Sequence, residues 1–348
     1  MHRAPRLWDL FCRVIDNHGD LGVCWRLAAD LASRGEPVRL WVDDASALDW
    51  MAPGGASGVE LRAWDEAADA TPAEVVVEAF GCDPPPAFVA RMAARPRAPV
   101  WLNLEYLSAE PYVERSHGLA SPQPGGLTKW FFYPGFSVRT GGLLREPGLE
   151  ARRERFERGA WLRTQGISWQ PGQRVVSLFC YDNTAVPGLL GALADRPTLL
   201  LATPGHAQRQ LRAMAPGPGV QVVELPWLSQ TDYDRLLWSA DLNFVRGEDS
   251  LVRAIWAGAP FVWQIYPQHD GAHGPKLEAF LGAHWSGAEP ALADAVRHAT
   301  RAWNGLVAGP LALPARGPWA RAAAAARDRL ALQPDLCTQL IRFVDGRG

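Results

Sequence analysis

Twice along this chain, short apolar runs alternate with segments of helical spacing, and a stretch rich in glycine and proline separates the two series. Runs this short, joined by helical segments, pack as parallel strands with crossover helices that cover both faces of a sheet. In the first series the expected strands are 7–15, 38–42, 74–78 and 100–104. A helix over 21–33 follows the first of them and stops at Gly35. Between 121 and 148 the pattern pauses, and its repeated Gly and Pro read as long loops leaving the first domain. A charged helix is expected over 150–161. The second series then gives strands at 174–180, 197–202, 220–224, 242–245 and 260–264. Its helices fall at 205–214, 233–240 and 250–257. An alanine-rich helix over 319–332 and a last helix over 336–344 close the chain.

The expected fold is therefore α/β, with two Rossmann-like domains. We set them at 1–150, rejoined by a terminal helix at about 330–348, and at 151–329. A length of 348 residues suits two cores of this size. With 48% hydrophobic and 21% charged residues, both cores are expected to be well buried. Basic and acidic residues number 35 and 37, so no basic excess points to nucleic acid or a membrane surface. The first apolar run is interrupted by Asp9 and Arg13, which marks a strand and not a signal peptide. No run is long enough to span a bilayer. The five cysteines are scattered and contain no CxxC, which argues against a disulfide framework or a zinc site and fits a reducing, cytoplasmic setting. Most of the 16 tryptophans are expected in the cores, with some left to line a groove.

In open parallel sheets, ligands bind beyond the carboxyl ends of the strands. After the first strand comes Asp16-Asn-His-Gly-Asp-Leu-Gly22, two carboxylates on a glycine loop at a strand-to-helix junction. Asp20 suits a helix N-cap and Asp16 a turn, and a ligand-facing role remains open beside those readings. A dinucleotide fingerprint is disfavoured: G-x-G-x-x-G is missing, although Asp43 and Asp44 end the second strand where a ribose-binding acid would sit.

The strongest signal is Arg246-Gly-Glu-Asp-Ser250, a tight turn between a strand and a helix. A helix N-terminus and a fixed guanidinium suit a diphosphate. Glu248 or Asp249 could accept from ribose or sugar hydroxyls, while the plainer reading has them complement the helix dipole, with Ser250 as cap. Phe179 and Tyr181 end another strand, where they could lie over a base or sugar. His269, Asp270 and His273 imitate a metal site but lack a fourth ligand. Asp232 and Asp234 imitate a metal-binding DxD and are better explained by capping.

Across both halves, residues 14–28, Asn103-Leu-Glu-Tyr-Leu-Ser-Ala-Glu110, Ser121-Pro-Gln, Gly135-Phe-Ser, Thr140-Gly-Gly-Leu, Arg246-Gly-Glu-Asp-Ser and Ile265-Tyr-Pro-Gln resemble the protein-arginine rhamnosyltransferases of elongation factor P. The resemblance runs from about residue 8 to about residue 281. It implies a GT-B fold of two facing Rossmann-like domains, the first carrying the base and the second the nucleotide sugar. It further implies dTDP-β-L-rhamnose as donor, elongation factor P as acceptor and partner, inversion at the anomeric carbon, and no metal or cofactor. By motif match Asp20 is the general base and Asp16 a second essential carboxylate. Glu248 joins them among the catalytic groups. Phe179, Tyr181, Gln230, Arg246, Glu248, Asp249, Ser250 and Tyr266 fall on donor-binding positions. Two departures stand out. Ser229 replaces an expected Pro, which would loosen the turn presenting Gln230. His18 replaces an expected Phe, which could tune the acids. Other readings are a GT-B transferase with another donor or acceptor and a non-catalytic nucleotide-sugar binder.

Overall fold

The computed structural model describes residues 4–15, 18–267 and 273–347. Two compact units divide the chain, Met1–Pro147 with Gln333–Gly348, and Gly148–Leu332.

Strands β1 (Trp8–Cys12), β2 (Val38–Val42), β3 (Val59–Ala63), β4 (Val75–Ala79), β5 (Val100–Leu104), β6 (Ala120–Pro122) and β7 (Thr128–Phe132) build the first unit. Their order in the sheet is β3-β2-β1-β4-β5-β7-β6. All pairings are parallel except that of β6 with β7. The second unit holds β8 (Arg174–Leu178), β9 (Thr198–Ala202), β10 (Val220–Glu224), β11 (Leu242–Arg246) and β12 (Phe261–Gln264). These pair in parallel in the order β10-β9-β8-β11-β12. The expected α/β architecture is borne out.

Three local expectations fail. The stretch read as loops over 121–148 contains β6 and β7. Strand β3 was not foreseen, and the single helix over 150–161 is two, Leu149–Glu154 and Arg158–Thr164. The strands share a cause. At the sheet margin one face stays wet, so β3 reads Val-Glu-Leu-Arg-Ala and β7 opens with Thr-Lys. Neither shows the continuous apolar run that marks a central strand. The β7 lysine, Lys129, reaches the buried Glu78 of β4 at 2.7 Å.

Central strands tolerate charge only when it is fully partnered. Asp9, buried in β1, accepts from Arg39 Nε (2.7 Å) and Nη2 (2.8 Å), Trp41 Nε1 (2.8 Å) and the Ala73 amide (2.8 Å). The helix Leu336–Asp345 belongs to the first unit and inserts Leu336, Cys337, Leu340 and Val344 into its core. A buried side chain of leucine size contributes about 1.5–3 kcal/mol, so this face anchors the end of the chain. Arg34 adds ion pairs to Asp30 (2.7 Å) and Asp335 (2.8 Å).

In each sheet the winding reverses once, between β1 and β4 and between β8 and β11. At such a point the crossovers leave toward opposite sides and open a crevice beyond the strand ends. Asp20 follows β1, Phe80 follows β4, Phe179 follows β8, and Arg246 ends β11.

Candidate active site

The helix Gly19–Ser33 begins right after the first crevice, and Asp20 is its second residue. Asp20 is not the N-cap. His18 holds that position without a side-chain cap bond. The carboxylate instead accepts from Tyr106 Oη, 3.4 Å from Oδ2. Tyr106 lies just beyond β5, and its ring stacks on Phe80 with centroids 4.4 Å apart and planes at 17°. Phe80 adopts φ +58°, a left-handed backbone that non-glycine residues rarely enter. Its neighbour Glu105 is half-buried, and that burial raises its pKa above the ordinary carboxylate range. An exposed aromatic face beside a carboxylate suits a guanidinium, which is recognised by both. Neither aromatic residue was assigned a role from the sequence, although Tyr106 lies inside the Asn103–Glu110 stretch that carries part of the resemblance.

His18 packs edge-on against Trp50 at 6.1 Å. Asp43 accepts from the Val14 and Asp44 amides (2.9 and 3.0 Å), so this acid is used to hold the loop after β1. The Asp16 assignment falls outside the described residues.

On the second unit, Arg246 is the last residue of β11 and not part of the turn. Gly247 makes that turn at φ +71°, and the helix Glu248–Ala257 starts at once. The Trp263 indole pins the turn by donating to the Gly247 carbonyl (3.0 Å). The Arg246 guanidinium sits over the rings of Phe179 (4.5 Å) and Tyr181 (4.3 Å). Burial lowers its pKa from the free guanidinium value. Its Nη1 is buried and has no hydrogen-bond partner among the described residues. A cation-bearing donor left without an acceptor is costly, and an anion at the adjoining helix N-terminus would complete it.

Other residues that the resemblance would assign to the donor lie around this turn. The Tyr181 amide donates to Gln264 Oε1 of β12 (2.8 Å), and its ring meets Tyr266 edge-on at 5.4 Å. Tyr266 is 45% exposed. Ser250 is the third residue of the helix and is buried; it is not the cap, a position that Gly247 holds. Tyr233 meets Phe179 at 5.8 Å, and Gln230 lies one helical turn before Tyr233 on the same face. Glu248 pairs with Lys276 (2.9 Å), a residue that sequence reasoning missed.

Ser229 does not loosen the turn before Gln230. It is the N-cap of Gln230–Ser239, and its Oγ accepts from the Asp232 amide at 3.1 Å. The DxD resemblance is structural, though only in part by capping. Asp232 accepts from Trp161 and Arg235, while Asp234 forms a bidentate pair with Arg253 (2.8 and 2.6 Å). With side chains only 7% and 2% exposed, that pair is a core element. Asp234→Ala would strand the buried guanidinium and is expected to cost about 3–5 kcal/mol. Denaturant unfolding followed through the second unit's tryptophans checks this. Asp234→Leu with Arg253→Met should recover most of the loss.

His269 and Asp270 lie outside the described residues, and no group of three or more His, Cys, Asp or Glu able to hold a metal occurs among the described ones. All five cysteines are free. Burial pushes Cys82 and Cys180 up to about 12, so neither is a thiolate nucleophile. No helix among the described residues is long and apolar enough to cross a membrane.

Two parallel-sheet units, one with a carboxylate at its switch point and the other with an anion-seeking arginine at a helix start, define a glycosyltransferase of the GT-B class. The same fold occurs in the spinosyn rhamnosyltransferase SpnG complexed with thymidine diphosphate, at 13% identity and TM-score 0.53 over 98% of this chain and all of that one. The model of the family described as Elongation-Factor P (EF-P) rhamnosyltransferase EarP matches residues 8–345. A protein-arginine rhamnosyltransferase of Pseudomonas putida is 46% identical over 368 residues, covering 97% of this chain and 98% of that relative. A solved structure described as the structural basis for EarP-mediated arginine glycosylation of translation elongation factor EF-P is 32% identical, with TM-score 0.68 over 98% and 99% of the two chains. The chain belongs to the EarP family and is an enzyme, a glycosyltransferase.

Proposed function

We propose that the enzyme transfers L-rhamnose from dTDP-β-L-rhamnose to an arginine side chain of elongation factor P, with inversion at the anomeric carbon. The observation that carries the donor half is the buried, unpartnered Nη1 of Arg246 beside the Glu248–Ala257 N-terminus. The sugar and the acceptor protein rest on the family relationship.

The second unit binds the donor. Arg246 and the helix amides meet the diphosphate, Tyr181 and Tyr266 offer rings to the nucleotide or sugar, and Gln230, Glu248, Asp249 and Ser250 complete the set. The first unit receives the acceptor, with Asp20 as general base, Asp16 assisting, and the Phe80–Tyr106 stack against the guanidinium plane. In the reaction a guanidinium nitrogen bonds to the anomeric carbon while the bond from that carbon to phosphate oxygen breaks, its electron pair leaving on dTDP. The acceptor guanidinium is protonated at neutral pH, with a pKa of about 12.5–13.8. Its nitrogen must therefore lose a proton as the new bond forms, and Asp20 accepts it. The developing charge on dTDP is met by Arg246 and the helix dipole, so no metal is assigned a step. An acceptor of this kind places the enzyme in the cytoplasm.

Intact-mass spectrometry of elongation factor P after incubation with enzyme and dTDP-β-L-rhamnose tests the reading. A gain of one deoxyhexose, abolished by changing the acceptor arginine to lysine, is expected. An unchanged mass would refute the assignment. The same gain is expected in excess EDTA, and its loss there would bring a metal back into the mechanism.

A further inference from the structure

A cavity of about 400 Å³ opens at the amino edge of the second unit's sheet, the edge remote from Arg246. Arg174 begins β8, Asp241 and Leu242 lead into β11, Pro260 precedes β12, and all four line it. Residues 311–316, which lead into the helix Arg316–Ala331, form another wall. Along β11, steps of about 3.3 Å per residue put the cavity roughly 13 Å from Arg246. It is therefore separate from the proposed donor site. Its volume falls within the range of about 300–1,000 Å³ usual for small-molecule sites.

The polar lining carries more positive charge than its own contacts neutralise. Arg174 is fully engaged: its Nε donates to Thr198 Oγ1 (2.9 Å), and its Nη2 donates to the Leu193 carbonyl and to Asp195 Oδ1 (2.7 Å each). Asp241 Oδ1 accepts from both Arg158 (2.9 Å) and Arg316 (2.5 Å), one guanidinium more than a single carboxylate balances. Arg196 also lines the cavity, is exposed, and has no ion pair or side-chain hydrogen bond among the described residues. Arg158, Arg174, Arg196 and Arg316 thus stand against Asp195 and Asp241 alone. Ions that served folding only would pair off. The helix adds its positive end, since the N-cap Ala315 supplies no side-chain cap and the first-turn amides have no partner within the helix. Trp319, in the same helix, lines the cavity at 1% exposure, and its Nε1 has no hydrogen-bond partner among the described residues. Guanidinium, amide and indole are all donors, so what they lack is an acceptor. The geometry points to a second ligand site in this unit, one for a small phosphate monoester. Arg196, Arg316, the helix start and Trp319 Nε1 meet the phosphate, and Leu242, Leu311 and Leu313 meet an apolar body. Such a phosphate carries a charge of about −1.5 to −2 at neutral pH and three acceptor oxygens. That matches the surplus of positive charge and the set of donors, whereas one carboxylate would leave part of the surplus uncompensated.

Phosphorus NMR titration of the full chain with phenyl phosphate tests this, with dTDP saturating the turn at Arg246 and thermal melts run on every variant. One phenyl phosphate per chain is expected to bind, with a Kd of about 1 mM or tighter. Arg196→Ala removes an exposed, unpaired side chain, so it should melt as the unmodified chain does and bind phenyl phosphate about tenfold or more weakly, the scale of one charged hydrogen bond. Trp319→Phe removes the indole donor and should weaken binding about three- to tenfold. No binding by about 10 mM would overturn the site. So would displacement of phenyl phosphate by dTDP, or an affinity that neither Arg196→Ala nor Trp319→Phe changes. Failure of the chain to bind dTDP would overturn the donor reading instead, and phenyl phosphate binding that depends on Arg196 would still stand.

Discussion

Asp20→Asn should lower the rate of rhamnosyl transfer by about 10²–10⁴-fold, the usual contribution of a positioned general base, while dTDP affinity stays within about twofold of normal. The change is nearly isosteric. It removes the proton-accepting charge but leaves an oxygen for Tyr106 Oη, which now approaches Oδ2 at 3.4 Å. Asp20 also sits in the first turn of Gly19–Ser33, where losing a negative charge costs the helix about 0.3–1 kcal/mol. That is too little to unfold a unit whose central strand β1 is wholly buried. All the proposed donor contacts come from the second unit, so binding and chemistry should separate. Single-turnover kinetics with elongation factor P, paired with dTDP calorimetry, measure both. If dTDP binding collapses together with turnover, the loop after β1 belongs to the donor site and the general-base assignment is lost. Asp16→Asn in the same assays divides the work between the two acids.

What the sequence disclosed about the fold followed how deeply each element is buried. β1, β4, β8 and β9 are buried throughout and mostly apolar, so their expected and observed positions agree within a few residues. β3 and β7 lie at or near a sheet margin, where alternation with polar residues resembles loop composition, and both were missed. The site divides in the same way. Arg246-Gly-Glu-Asp-Ser was legible because one local turn packs its chemistry into five consecutive residues. The cradle around Arg246 is only partly local, since Phe179 and Tyr181 come from the end of β8 in another part of the chain. Lys276 reaches Glu248 across 28 residues of sequence, and no spacing rule connects them. Tyr106 was inside a quoted motif, yet its bond to Asp20 spans 86 positions. Ser229 shows the reverse case. A departure from the family pattern looked like a weakened turn, and the structure makes it a capped helix, because a serine hydroxyl can supply the acceptor that a proline lacks.

Arg246→Ala is expected to weaken dTDP binding by about 30-fold to several thousand-fold, with equal or greater loss in transfer. Truncating one member of a desolvated charge pair costs about 2–5 kcal/mol, and each 1.4 kcal/mol is about tenfold in affinity. Two features place Arg246 toward the upper part of that range. Its guanidinium already lies over Phe179 and Tyr181, so little side-chain freedom is lost when the ligand arrives. Its buried Nη1 gains an acceptor only on binding. Arg246→Lys should recover part of the loss at most, because an ammonium keeps the charge but neither the fork nor the flat stacking face. Folding offers no competing explanation for a large effect, since Arg246 is the last residue of its strand and the buried ion pair between the following helix and Gln230–Ser239, Arg253 with Asp234, stays intact. Thymidine alone supplies the control. It lacks the diphosphate, so its weaker affinity should barely respond to Arg246→Ala. A variant that binds dTDP as the unmodified enzyme does would move the diphosphate away from this helix. A variant that loses thymidine and dTDP equally would make Arg246 a support for the aromatic pocket and not an anion ligand.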